Sequence, residues 1–411
     1  MRGFTLATLD GIRNSTPANV TMSALRFIDA HCMPRIAMHN CRMFSCTGLL
    51  VAALMILMAG CTNRRLPSLS PGGRTSSDAT APTVPRESAS TSVLQRLADE
   101  AEALQPFARS PLTRNFLDAT RALPSISPRT VYVNEVTREY FSAAEKSALP
   151  VAAQKKLAEI QLDEYRYYFT KYGSPLAYLR PMELAASNGI GDVAGKRILD
   201  FGYGGIGQLR LLASLGADVT GIDADSYLRA LYSSGRDQGN VASAAGMWRG
   251  SSGSITLAHG HWPKDPKIVE RVGRGYDLIL SKNTLKKGYI KPDRKIGKRP
   301  QIDLAVSDDS FLRAIHNTLN PGGKLIIYNL YPKPPAAQAV YNPQADARSP
   351  YTREQYEKAG LQVVALNVED HAMARNMGRA LKWDRNEKGE VISDLENNLY
   401  AMFTIVARTS R

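Results

Sequence analysis

Past Cys61 the chain has no cysteine at all: Cys32, Cys41, Cys46 and Cys61 all fall in the first 61 of its 411 residues. The remaining 350 residues therefore hold no disulfide, no cysteine metal site and no thiol nucleophile, which removes several enzyme classes at once. Long apolar runs are scarce as well. The uncharged run Gly48–Gly60 is thirteen residues, short of the about 20 needed to cross a bilayer, so a polytopic membrane protein is excluded. Acids are outnumbered, 38 Asp+Glu against 52 Lys+Arg, and the net charge of +14 favours anionic partners without choosing among them. What is present is ordinary: 44% hydrophobic and 22% charged residues make a globular protein with a real core, neither disordered nor collagenous. The length suits two or three domains, or one large domain with extensions.

The run GLLVAALMILMAG ends directly on Cys61. Its length fits the apolar region of an export signal, with Arg35 and Arg42 as a weak basic leader. Leu57-Met58-Ala59-Gly60-Cys61 resembles the lipobox of bacterial lipoproteins, with Met58 where leucine is usual. The resemblance implies a signal peptide over residues 1–60, with Met38 and Met43 as alternative starts. It also implies a lipid anchor on Cys61 and an outward-facing place on a membrane; without the signal, the place would be cytoplasmic. The five Arg and two Asp before Cys61 account for +3 of the +14, so the basic character belongs to the body.

Residues 61–92 are rich in Ser, Thr and Pro and too poor in large apolar side chains to fold, which predicts a disordered tether. As a flexible coil it would span about 30 Å. Over 93–185 apolar residues recur at three- and four-residue spacing, in VLQRLADEAEALQPF, LTRNFLDATRAL and a longer stretch near 143–171, and predict a helical region. Among Tyr165, Tyr167, Tyr168 and Tyr172, packing is the expected role, with a minority reaching a ligand cleft. From about 186 to 411 the rhythm becomes short apolar strands alternating with helices, an α/β sheet. Seven strands are expected, at 196–201, 218–222, 254–258, 276–281, 324–330, 361–367 and 399–407.

The most informative stretch is ILDFGYGGIGQLRLLASLGADVTGIDAD, residues 198–225. A strand ends near Asp200, a loop carries Gly202, Gly204, Gly205 and Gly207, a helix follows, and a second strand ends at Asp223. Glycines let a backbone turn sharply and approach a ligand, and a carboxylate at Asp223 can accept both hydroxyls of a ribose. Two ligands compete. Gly202-x-Gly204-x-x-Gly207 fits a dinucleotide fingerprint, whereas Asp200 stands where such folds keep an apolar residue.

Residues 190–407 resemble the class I S-adenosylmethionine-dependent methyltransferases. The resemblance rests on ILDFGYGGIG, on Asp223, on YDLILS with Asp277, on the Pro-Gly-Gly turn of LNPGGKLIIYNL, and on LYAMFTIVAR as an antiparallel last strand. It implies a seven-stranded, mostly parallel Rossmann-like sheet with helices on both faces. It further implies S-adenosylmethionine as cofactor, held by Asp200, Gly202, Gly204, Gly207 and Asp223. Where the family has an acid for the adenine amino group, the chain reads ITLAHGHWP, making His261 the corresponding residue; a neutral imidazole can accept that bond and Trp262 could stack on the ring. The fourth strand ends in SKNTLKKGY and lacks the Asn/Asp-Pro-Pro-aromatic sequence of the amine-methylating members. No catalytic residue is assigned, although Ser281, Asn283 and His261 are within the region where substrate would be met.

From Lys282 to Arg299 there are eight basic residues and one acid, Asp293, a solvated loop or an electropositive lid for an anionic acceptor. One aromatic, Tyr289, and no recognition fold disfavour nucleic acid. Trp248, Trp383 and His371 are expected to be structural. The function expected is methyl transfer to an unidentified, plausibly anionic small-molecule or protein acceptor. Two rivals stand beside it: a non-catalytic, membrane-tethered binding module of the same fold, and an NAD-dependent oxidoreductase.

Overall fold

The computed structural model describes residues 92–243, 252–295, 301–335, 340–386 and 389–410. The apolar run, Cys61, nearly all of the tether and Trp248 lie outside the described residues. Among the described residues no helix is long and apolar enough to cross a membrane.

All seven expected strands form. They are β4 (Arg197–Phe201), β5 (Asp218–Asp223), β7 (Gly253–His259), β8 (Tyr276–Lys282), β9 (Leu319–Tyr331), β10 (Leu361–Glu369) and β11 (Tyr400–Arg408), with a short extra edge strand β6 (Gly239–Val241). The spatial order is β10-β11-β9-β8-β4-β5-β7-β6. β4 runs parallel to β5 and β8, β5 to β7, and β8 to β9, while β11 is antiparallel to both its neighbours. This is the mostly parallel sheet with an antiparallel last strand that the resemblance implied. Alternation along β4 feeds two apolar cores: Ile198 faces one with Leu209 and Leu212, and Leu199 and Phe201 face the other with Trp262 and Phe311. Each large side chain buried this way contributes about 1.5–3 kcal/mol.

The N-terminal region departs from its expectation. Helices form at Val93–Leu104 and Pro111–Asp118, capped by the Ser92 and Ser110 side chains. After them in the chain comes a three-stranded antiparallel sheet, β1 (Arg129–Asn134), β2 (Glu139–Phe141) and β3 (Leu157–Leu162), in the order β2-β1-β3. The long helix expected over 143–171 is instead two short helical turns on either side of Pro150, then β3, then the helix Glu164–Tyr168. Alternation in RTVYVN, which buries Val131 and Val133, overrides helical spacing because that strand has two partners to pair with.

A buried polar cluster fastens this small sheet to the large one. Asp237, 1% exposed, accepts from both terminal nitrogens of Arg129 at 2.9 and 3.0 Å and from the Tyr167 hydroxyl at 2.8 Å. Arg210, on the helix that follows the glycine loop, donates to the same hydroxyl at 3.0 and 2.8 Å and stands 3.5 Å from the carboxylate. Four segments thus meet on one acid. A second clasp joins Arg180 to Asp370 through two bonds of 2.8 and 2.9 Å.

Candidate functional site

The strand order reverses at β4: from it the chain steps outward through β5 to β7 on one side, and through β8 to β9 on the other. Such a switch point opens a crevice beyond the carboxyl ends of the strands, where open α/β sheets bind ligands. Ladder register sets what stands there. Asp200 is level with Gly221 and Leu280, so two residues on, Gly202, Asp223 and Lys282 share one height. Asp223 is paired in turn with His259, and Lys282 with Tyr328. A row His259, Asp223, Gly202, Lys282, Tyr328 therefore crosses the top of the sheet.

Asp200 is fully buried and accepts from the Tyr178 hydroxyl at 3.1 Å and from Gln208 Nε2 at 3.0 Å. Gln208 Nε2 also reaches the Tyr203 carbonyl at 2.6 Å, so the acid holds the shape of the loop from beneath. Burial pushes its carboxyl up to about 7 against these bonds and the nearby Lys282. Gly202 and Gly204 have φ of +76° and +61°, a backbone that side chains strain to adopt. Gly207 opens the helix Gly207–Ser214. Asp223 is part-exposed; its carboxylate accepts from the Asp225 backbone at 2.9 Å and weakly from Gly204 at 3.4 Å, leaving lone pairs for a ligand. Burial raises it to about 6.

What lies over the glycines is protein. A Cβ on Gly202 would come within 2.1 Å of Thr284, one on Gly204 within 3.0 Å of the Tyr172 ring, and one on Gly207 within 2.7 Å of Pro175. Tyr172 belongs to a strap, residues 170–175. The strap is pinned by Thr170 Oγ1 donating to the Gly204 carbonyl at 2.9 Å, Tyr172 donating to Asp225 at 2.7 Å, and Lys171 lying 2.6 Å from Asp225. Tyr172 is 48% exposed, a roof at the mouth rather than a core residue. The acid and the loop fit an adenosine-bearing cofactor, and the roof must shift for one to lie along Gly204. Tyr172→Ala is accordingly expected to tighten binding of S-adenosylhomocysteine about tenfold, since one charge-assisted bond holding the roof is lost. Calorimetric titration reads this; weaker binding would make the ring a ligand contact instead.

His261 is exposed on the loop after β7. Trp262 is buried, 3% exposed, with its ring against Phe201 and Phe311, and is a core residue rather than a stacking platform. His259 escaped the sequence reading. It pairs with Asp223, its Nδ1 is buried without a partner among the described residues, and burial together with Arg229 and Arg271 pulls it down to about 4. Ser281 is buried, its hydroxyl accepting from the Leu285 backbone. Asn283, at φ +62°, accepts from the Leu330 backbone at 2.7 Å. Both are occupied in shaping the turn after β8.

No family model and no curated protein sequence matches the chain. Solved structures do. A methyltransferase dependent on S-adenosylmethionine from Mesorhizobium loti is 16% identical over 56% of this chain and 98% of its own, with a TM-score of 0.31. A phosphoethanolamine N-methyltransferase from Haemonchus contortus, solved with phosphomonomethylethanolamine and S-adenosylhomocysteine, is 15% identical over 60% of this chain and 56% of its own, TM-score 0.31. A 4+2 cyclase is 16% identical over 56% and 81%, TM-score 0.34. At these identities the likeness carries nothing about substrate or activity.

Proposed function

We propose that the chain binds S-adenosylmethionine and transfers its methyl group to an anionic acceptor. The observation that carries this reading is the row at the switch point: a part-exposed Asp223 level with Gly202, above a loop braced by Asp200. In this reading Asp223 accepts the two ribose hydroxyls, and Gly202 and Gly204 let the backbone approach the ligand. Asp200, Tyr178 and Gln208 act from beneath, as positioning residues. The cofactor supplies an electrophilic methyl on a sulfonium, and the protein's part is alignment of the acceptor for in-line displacement. The antiparallel β11 and the acid at Asp200 count against a nicotinamide dinucleotide.

Because the ribose hydroxyls donate to the ionised form of Asp223, affinity follows its ionisation. S-adenosylhomocysteine is expected to bind weakly near pH 5, to tighten as the pH rises through about 6, and to level off by about pH 7. Calorimetric titration across that range, with NAD as comparator, tests the reading; a flat profile or preference for NAD would overturn it.

The packed shelf over Gly202 and Gly204 favours a second reading, a binding module without turnover. It predicts no binding of S-adenosylhomocysteine to the native chain. In either reading, the lipobox-like end at Cys61 supports a tether to an outward-facing membrane surface.

A further inference from the structure

We infer that Lys282 and Lys286 form a binding site for an anionic oxygen group, a carboxylate or phosphate, at the switch-point crevice. This rests on the proposed function only in taking the neighbouring shelf as the cofactor's. The argument begins from how the basic stretch after β8 is neutralised. Two of its more exposed lysines have acids: Lys287 pairs with Asp293 and Lys291 with Asp308. Its two inner lysines do not. Lys286 is 2% exposed and its ammonium donates to the Leu330 carbonyl, with no carboxylate acting on it among the described residues. Lys282 has its ammonium over the Tyr178 ring, the nitrogen 5.5 Å from the centroid, and that ammonium makes no hydrogen bond among the described residues. The one acid acting on it is Asp200, which is already bonded by Tyr178 and Gln208.

One buried carboxylate therefore faces Lys282, and none faces Lys286, which Lys282 repels. Burying an uncompensated charge is costly, and an anion reaching both lysines would remove that cost. Burial pulls Lys282 down to about 8 against the attraction of Asp200, and burial with the repulsion of Lys282 pulls Lys286 to about 7. The turn is stiff enough to present them. Asn329 Nδ2 donates to the carbonyls of Leu285 and Ala347 at 3.0 and 2.9 Å, and Asn283 holds the Leu330 backbone. Lys282, part-exposed and level with Gly202, is the entry, and Lys286 is the inner end.

The anion has two possible sources, the acceptor or the cofactor's own amino-acid carboxylate, and one experiment separates them. Thermal unfolding of the full chain is followed in phosphate and in chloride of equal ionic strength. Phosphate is expected to raise Tm by about 3 °C or more. The shift should vanish in Lys282→Met and in Lys286→Met and persist in Lys282→Arg. A shift that survives saturating S-adenosylhomocysteine assigns the site to the acceptor. One that S-adenosylhomocysteine abolishes and methylthioadenosine, which lacks the amino-acid end, leaves intact assigns it to the cofactor. Either supports the anion site. No phosphate effect beyond chloride, or an equal effect in Lys282→Met, overturns it. A phosphate response without any binding of S-adenosylhomocysteine leaves the anion site standing and fails the cofactor reading instead.

Discussion

Asp237→Ala is expected to lower the unfolding free energy by about 3–5 kcal/mol, the cost of leaving buried charges without their partner. The carboxylate is the one acid shared by Arg129 and Arg210, and it fixes the Tyr167 hydroxyl between them. Its removal leaves two guanidinium groups facing each other around a buried tyrosine. Against a typical total of about 5–15 kcal/mol the loss is severe. The measurement is denaturant unfolding: the midpoint should fall with little change in slope. Asp237→Asn keeps an acceptor without the charge and should fall between. A shift under about 1 kcal/mol would mean that the cluster relaxes or admits water.

Asp223→Ala is expected to weaken S-adenosylhomocysteine about 100-fold or more, because two charge-assisted bonds worth about 1.5–3 kcal/mol each are lost. The same change should leave thermal stability nearly untouched. The carboxyl is held above its ordinary range by burial, so its ionised form costs the empty fold something at neutral pH, and alanine removes that cost while losing the bonds from Gly204 and Asp225, so that the two offset. Lost binding with preserved Tm separates a ligand contact from a structural acid. Equal loss of both would reassign Asp223 to bracing the loop through the backbone nitrogens of Gly204 and Asp225.

The sheet was legible because its strands are short apolar runs closed by turn residues; each of the seven falls within a few residues of its expected place, and β9 alone extends further, starting at Leu319. The acids at Asp200 and Asp223 were legible for the same reason: strand ends locate them. The roof was not. That Tyr172 lies on Gly204 depends on a strap some 30 residues upstream, and no local pattern encodes which of four tyrosines reaches it. The two inner lysines were hidden in a run that reads as uniformly basic, since sequence does not say which members meet Asp293 and Asp308 and which turn inward. The N-terminal sheet was missed because β1, β2 and β3 are stabilised by one another across the chain, while helical spacing is read within a window.

The two clasps also impose an order in time. Arg129 waits for Asp237, 108 residues later, and Arg180 waits for Asp370, 190 residues later. At ribosomal speeds of about 5–20 residues per second, the first wait alone lasts about 5–20 s. The strap bearing Tyr172 lies between Arg129 and Arg180, yet its own partners, Glu100 behind it and Gly204 and Asp225 ahead, are all made before either clasp can close.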